Sequence, residues 1–81
     1  MLIRVRLFAR LREIAGASEL ARSVPAGASA RVVWEQLAGE FPALADYANA
    51  ISCAVNDDYA RLTVTLKDGD EVAFLPPVSG G

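Results

Sequence analysis

From Leu2 to Phe8 apolar and polar positions alternate, with Ile3, Val5 and Leu7 on one side and Arg4, Arg6 and Phe8 on the other. Successive strand side chains point to opposite faces, so this stretch predicts a strand with one buried and one solvated face. Phe8 then falls on the arginine side. Two readings stand: it ends the strand and tucks under a loop, or it is held at the surface for a contact. Leu11 and Ile14, three apart, predict a short helical turn from Arg10 to Ala15 that stops at Gly16, with Arg12 and Glu13 solvated on it. A weaker strand is predicted from Glu19 to Val24, closed by Pro25-Ala26-Gly27.

The period then changes. Val33, Leu37 and Phe41 repeat at every fourth position, and Trp34 and Ala38 widen the stripe. This predicts a helix from about Ala30 to Phe41, capped by Ser29 and ended by Pro42, whose apolar face covers a sheet. Ile51, Cys53 and Val55 restore the alternation, which makes Cys53 a small buried hydrophobe rather than a reactive thiol. Asn56-Asp57-Asp58 reads as a polar turn, and Leu62, Val64 and Leu66 mark a further short strand-like period. Asp68-Gly69 signals a tight reversal before a last strand carrying Val72 and Phe74. Strand, strand, helix and then two or three short strands predict an α+β domain, a mixed sheet with one helix across a face. If the last strand lies centrally and parallel to the first, its end emerges beside Phe8 and the short helical turn.

Composition removes alternatives. The chain has 81 residues, 53% of them apolar, and a net charge of −2, which fits one packed domain with a modest core. There is no Lys/Arg run to favour nucleic acid, and no apolar stretch long enough for a membrane span or signal peptide. A single cysteine makes no internal disulfide, as befits a reducing cytoplasm. With no histidine and one cysteine, neither a zinc site nor a Ser-His or Cys-His pair can be assembled, and no glycine-rich phosphate loop is present. The chain is not expected to catalyse a reaction alone, or to bind a metal or a cofactor.

What remains is the end of the chain, Phe74-Leu75-Pro76-Pro77-Val78-Ser79-Gly80-Gly81. Pro76 and Pro77 lack an N–H and have a fixed φ, so a strand ending near Leu75 cannot continue its ladder. Each proline also pushes the preceding residue to an extended geometry. Gly80 and Gly81 have no Cβ and fit a channel too narrow for other residues. From Pro76 onward the segment reaches about 20 Å at roughly 3.3–3.6 Å per residue. Residues 1–75 therefore read as the domain and 76–81 as a flexible, extended tail. The alternative is an ordinary frayed terminus.

Val55-Asn56 with Tyr59, the run from Leu66 to Phe74 containing Asp68-Gly69-Asp70-Glu71-Val72, and the ending Pro76-Pro77-Val78-Ser79-Gly80-Gly81 together resemble the β-grasp (ubiquitin-like) sulfur carriers, specifically the small subunits of molybdopterin synthases. Phe8-Ala9 followed by Arg12-Glu13 fits as well. The resemblance implies a β-grasp fold with a sheet of four to five strands. It implies that a ubiquitin-activating-type adenylyltransferase uses ATP to adenylate Gly81, and that a sulfur donor converts Gly81 to a thiocarboxylate. The tail then enters the large synthase subunit, in a heterotetramer of two small and two large subunits, and donates sulfur to cyclic pyranopterin monophosphate. Gly81 is the covalent carrier in this scheme, and Pro76, Pro77, Val78, Ser79 and Gly80 occupy the partner's channel. By the same resemblance Phe8, Arg12, Tyr59, Phe74 and Leu75 form the gripped surface. For Phe74 the alternation argues for core instead, with Leu75 as the contact. A thiamine-type sulfur carrier and a ubiquitin-like protein modifier share these features and remain alternatives.

Overall fold

In the computed structural model, which describes residues 1–77, the N-terminal alternation becomes strand β1 (Leu2–Leu7), with Ile3, Val5 and Leu7 buried and Leu2, Arg4 and Arg6 exposed. Helix α1 (Ala9–Ala15) follows at once. The Phe8 carbonyl accepts from the Leu11 N–H at 3.1 Å, and Gly16 closes the helix in the left-handed region at φ 75°, its N–H donating to the Arg12 carbonyl. A left-handed residue at that point is how a short helix satisfies its last carbonyls, and glycine adopts it without a Cβ clash. Strand β2 (Glu19–Ser23) returns antiparallel to β1.

Helix α2 (Ala30–Glu40) carries the predicted stripe, with Val33, Trp34 and Leu37 buried. Ser29 caps it, its hydroxyl accepting from the Val32 N–H, and Phe41 is the residue after its last turn. Pro42 ends α2 and at the same time starts a 3-10 helix (Pro42–Tyr47) that the hydrophobic pattern did not announce. Proline suits a first helical turn, where its missing N–H has no partner to lose. Strands β3 (Ser52–Val55), β4 (Asp58–Ala60) and β5 (Glu71–Leu75) complete a five-stranded mixed sheet in the order β2-β1-β5-β3-β4. Strand β5 lies at the centre, parallel to β1 and antiparallel to β3. The helices cover one face, where Trp34 meets Phe74 with ring centroids 5.1 Å apart and tilted by 58°, a favoured aromatic geometry.

One predicted strand is not there. Leu62, Val64 and Leu66 alternate inward, yet the segment forms only an isolated bridge between Thr65 and Ser29. Its backbone serves the start of α2: the Ala30 and Arg31 N–H groups donate to the carbonyls of Val64 and Leu62 at 3.1 and 2.8 Å, and the Leu66 N–H donates to Ala28. An extended chain under a helix end has the period of a strand without its ladder. The missing strand is supplied by Asp58–Ala60, whose first residue had read as part of the turn. Cys53 is buried as expected; burial pushes its thiol up, and the Sγ–H donates to the Ala60 carbonyl at 3.2 Å.

Two turns carry predictions. Asn56 and Asp57 both take positive φ, 49° and 74°, as a primed two-residue hairpin requires. Asn56 is committed, its amide donating to Asp70 and its carbonyl oxygen accepting from the Glu71 N–H. Asp57 only bears the steric cost, so Asp57→Gly is expected to stabilise the fold by roughly 0.5 kcal/mol and raise the melting temperature by about 2–4 °C. Asp70 accepts from the Lys67 N–H at 2.8 Å and from the Asn56 amide at 2.9 Å, and these bonds hold its carboxyl below the usual carboxylate range. A depressed carboxyl contributes stability above its unfolded value, around pH 4, and loses it as pH falls through the folded value. Asp70→Asn should therefore lower the melting temperature at pH 7, and the difference from the parent should narrow as thermal scans are taken into acid below about pH 4, the unfolded value. A difference unchanged in acid would refute the ionic origin of the effect.

Candidate functional site

Strand pairing aligns side chains across the sheet face that the helices leave open. One rung carries Arg6, Ala73, Ala54 and Tyr59 over four strands. The neighbouring rungs add Arg4 beside Glu71 on one side and Leu75 beside Ser52 on the other. Ala54 and Ala73 keep the middle of this face low, while Tyr59 stands 78% exposed near the β4 edge. Small residues ringed by an aromatic, a leucine and arginines make a shallow surface that a partner's side chains can enter.

The electrostatics of this face are ordered from within. The Arg4 guanidinium lies 3.1 Å and the Arg6 guanidinium 3.6 Å from the two carboxylate oxygens of Glu71. Arg6 also places its guanidinium carbon 5.2 Å from the centre of the Phe8 ring, in cation–π contact. Glu71 thus fixes the arginine that in turn covers Phe8. Neither Arg6 nor Glu71 was singled out by the sequence pattern. Arg4, Arg6 and Phe8 share a strand face, but only the parallel register of β1 on β5 reveals that Glu71 opposes them.

The residues expected at a partner interface separate into two groups. Leu7 pairs with Phe74, so Phe8 and Leu75 follow at the same end of neighbouring strands. Both are half-buried. Phe8 has extended backbone and its carbonyl receives the first N–H groups of α1, so it sits at the strand-to-helix corner between the two readings: part shielded, part presented. Arg12 is exposed on α1, one turn on. Phe8 and Leu75 flank the point where the chain leaves the sheet, and Arg12 lies on the helix that follows Phe8. Tyr59 belongs to the open face but lies two strands away from Leu75, roughly 10 Å across the sheet. Phe74 is fully buried, as its alternation required. Pro76 is half-buried and Pro77 exposed, immediately after β5 ends at Leu75. Val78, Ser79, Gly80 and Gly81 lie outside the described residues. Among the described residues no three His, Cys, Asp or Glu side chains are grouped to hold a metal, and no helix is long and apolar enough to cross a membrane.

The ThiS family model matches residues 5–81. The chain is 40% identical to the molybdopterin synthase sulfur carrier subunit of Chlamydomonas reinhardtii, over all of both chains. Among solved structures, SAMP1 of Haloferax volcanii superposes with a TM-score of 0.84 at 31% identity, over all of both chains. A chain of the complex of subunits 1 and 2 of the molybdopterin-converting factor from Helicobacter pylori matches with a TM-score of 0.69 at 26% identity, again over all of both chains.

Proposed function

The chain belongs to the ThiS family, within the molybdopterin synthase sulfur carrier subunits, and from that premise we propose that it carries sulfur on Gly81 for dithiolene formation in molybdenum cofactor biosynthesis. The observation that carries the reading is the placement of β5. The strand that ends in Leu75-Pro76-Pro77 is the central one, and it leaves the sheet beside Phe8 and α1, next to a face the helices do not cover. A body so arranged holds its partner with the open face and sends the tail into it.

The chemistry follows from the end group. A terminal carboxylate is ionised at neutral pH (reference pKa about 3.3–3.7) and is a poor acyl electrophile. A ubiquitin-activating-type adenylyltransferase converts Gly81 to an acyl-adenylate, with ATP as its substrate. The terminal sulfur of a donor persulfide attacks the acyl carbon and expels AMP, which leaves an acyl disulfide; a thiol then reduces the S–S bond, freeing the thiocarboxylate and leaving a disulfide on the donor side. In the large synthase subunit that sulfur attacks cyclic pyranopterin monophosphate. A dithiolene needs two sulfurs, so two carriers are consumed and recharged per product, in keeping with two small and two large subunits. The chain itself supplies position: Phe8, Arg12, Tyr59 and Leu75 hold the partners, Pro76 and Pro77 aim the tail, Val78 and Ser79 line the approach, and Gly80 gives clearance. It acts in the cytoplasm and contributes no cofactor of its own.

The test is intact-mass measurement after incubation with ATP, the activating enzyme and a sulfur donor. One oxygen replaced by sulfur is the expected product. Co-purification should recover a pterin-binding large subunit. Recovery of a thiazole synthase in its place would move the chain to thiamine synthesis, and an isopeptide to a target lysine would make it a protein modifier.

A further inference from the structure

An open cleft of about 460 Å³ lies at the β4 end of the sheet, lined among others by Arg31, Ser52, Tyr59, Arg61, Leu62 and Thr63. No Asp or Glu is among its lining residues. Among the described residues Arg4, Arg6, Arg10 and Arg22 are each paired with a carboxylate, whereas Arg31 and Arg61 have no such partner. A chain of net charge −2 thus keeps two guanidinium groups uncompensated in one concave place.

Their position makes this costly. Arg31 lies in the first turn of α2, which contains no acidic residue, so a cation sits where the helix macrodipole is positive. The Arg31 N–H is bonded to the Leu62 carbonyl at 2.8 Å, and that bond draws the neighbouring Arg61 to the same helix end. Two like charges gathered at the positive end of a dipole raise the local potential. An anionic group entering the cleft relieves both terms, and Ser52, Tyr59 and Thr63 among the lining residues carry hydroxyl groups.

We propose that this cleft receives carboxylate side chains of the large synthase subunit, so that the interface continues from the open sheet face around the β4 edge. This rests on the reading of that face as the partner surface. The continuity is physical: Tyr59 and Ser52 line the cleft, and the same two residues belong to the open-face rungs with Ala54 and Leu75. Apolar contact beside the tail sets affinity, while the cleft sets register and draws the partner in. Guanidinium groups suit the task because they bind carboxylates through two parallel hydrogen bonds.

The test compares the parent, the R31E/R61E double variant and Leu75→Glu for binding to the cognate large subunit by calorimetry at two salt concentrations. R31E/R61E is expected to weaken binding about tenfold or more at low salt and to flatten the salt dependence. Its melting temperature should not fall, because glutamate in the first turn of α2 suits the dipole, so lost affinity is separable from lost fold. If R31E/R61E binds like the parent while Leu75→Glu does not bind, the cleft proposal is overturned and the open-face reading stands. If Leu75→Glu binds normally and R31E/R61E does not, the cleft docks the partner and the open face does not. If both bind normally, both readings fall.

Discussion

A chain lacking Gly81 is expected to lose sulfur transfer by at least about a hundredfold while folding as well as the parent. β5 ends at Leu75, and the buried core of the described residues is complete by Phe74, so the fold is expected to survive the truncation. Truncation leaves Gly80 with a carboxyl group of ordinary reactivity, and adenylation of that group is chemically reasonable. What changes is reach. One residue shortens an extended arm by about 3.5 Å. A reacting atom must come within roughly 3–3.5 Å of its target, and displacement by 1 Å already costs on the order of a hundredfold. The body cannot compensate, because β5 is locked between β1 and β3 and cannot advance by a residue without turning Val72 and Phe74 out of the core. The measurement is dithiolene product formed with the large subunit, alongside melting temperature and intact mass. A truncated chain that supports product formation at the parent rate removes the basis for assigning the carrier atom to Gly81.

How much of this was readable beforehand depended on how local each cause is. The alternation at Ile3, Val5 and Leu7, the stripe at Val33, Trp34 and Leu37, and the cap at Ser29 are set by neighbours a few residues away, and all took the expected form. The central, parallel place of β5 entered only as a condition that periodicity does not establish, and the strand order meets it. Other features escaped, the 3-10 helix after Pro42 among them. Asp58–Ala60 is three residues long, too short to display a period. Leu62 to Leu66 displayed one, but its partner proved to be a helix end rather than a strand. The contact of Arg6 with Glu71 spans most of the chain and depends on register, which hydrophobic pattern alone does not carry. Arg31 and Arg61 are hidden for the same reason. Each looks like a solvated side chain until the Arg31–Leu62 backbone bond brings the two to one place.

The sharpest separation of body from surface is expected at two adjacent residues, Phe74 and Leu75. Phe74 is fully buried under Trp34 and pairs in register with Leu7 and Cys53, both in the core. Phe74→Ala should cost about 3–5 kcal/mol through lost burial and the cavity left behind. A chain of this length has roughly 4–12 kcal/mol to lose, so the variant should melt about 15–30 °C lower, and a large unfolded fraction at 37 °C is expected. Leu75 points the other way, onto the open face beside Ser52, and is half-buried. Leu75→Glu should leave the melting temperature within a few degrees of the parent, yet raise the dissociation constant for the large subunit by about 30-fold or more, as removal of an apolar anchor does. Thermal melts and calorimetry on both variants decide the matter. Because one residue's step along a strand exchanges the faces, the two readouts should exchange as well: stability lost at 74 with the surface chemistry untouched, binding lost at 75 with the fold intact. If Phe74→Ala keeps its fold but loses the partner, or Leu75→Glu unfolds, then β5 does not divide core from interface in the way that the delivery of Gly81 requires.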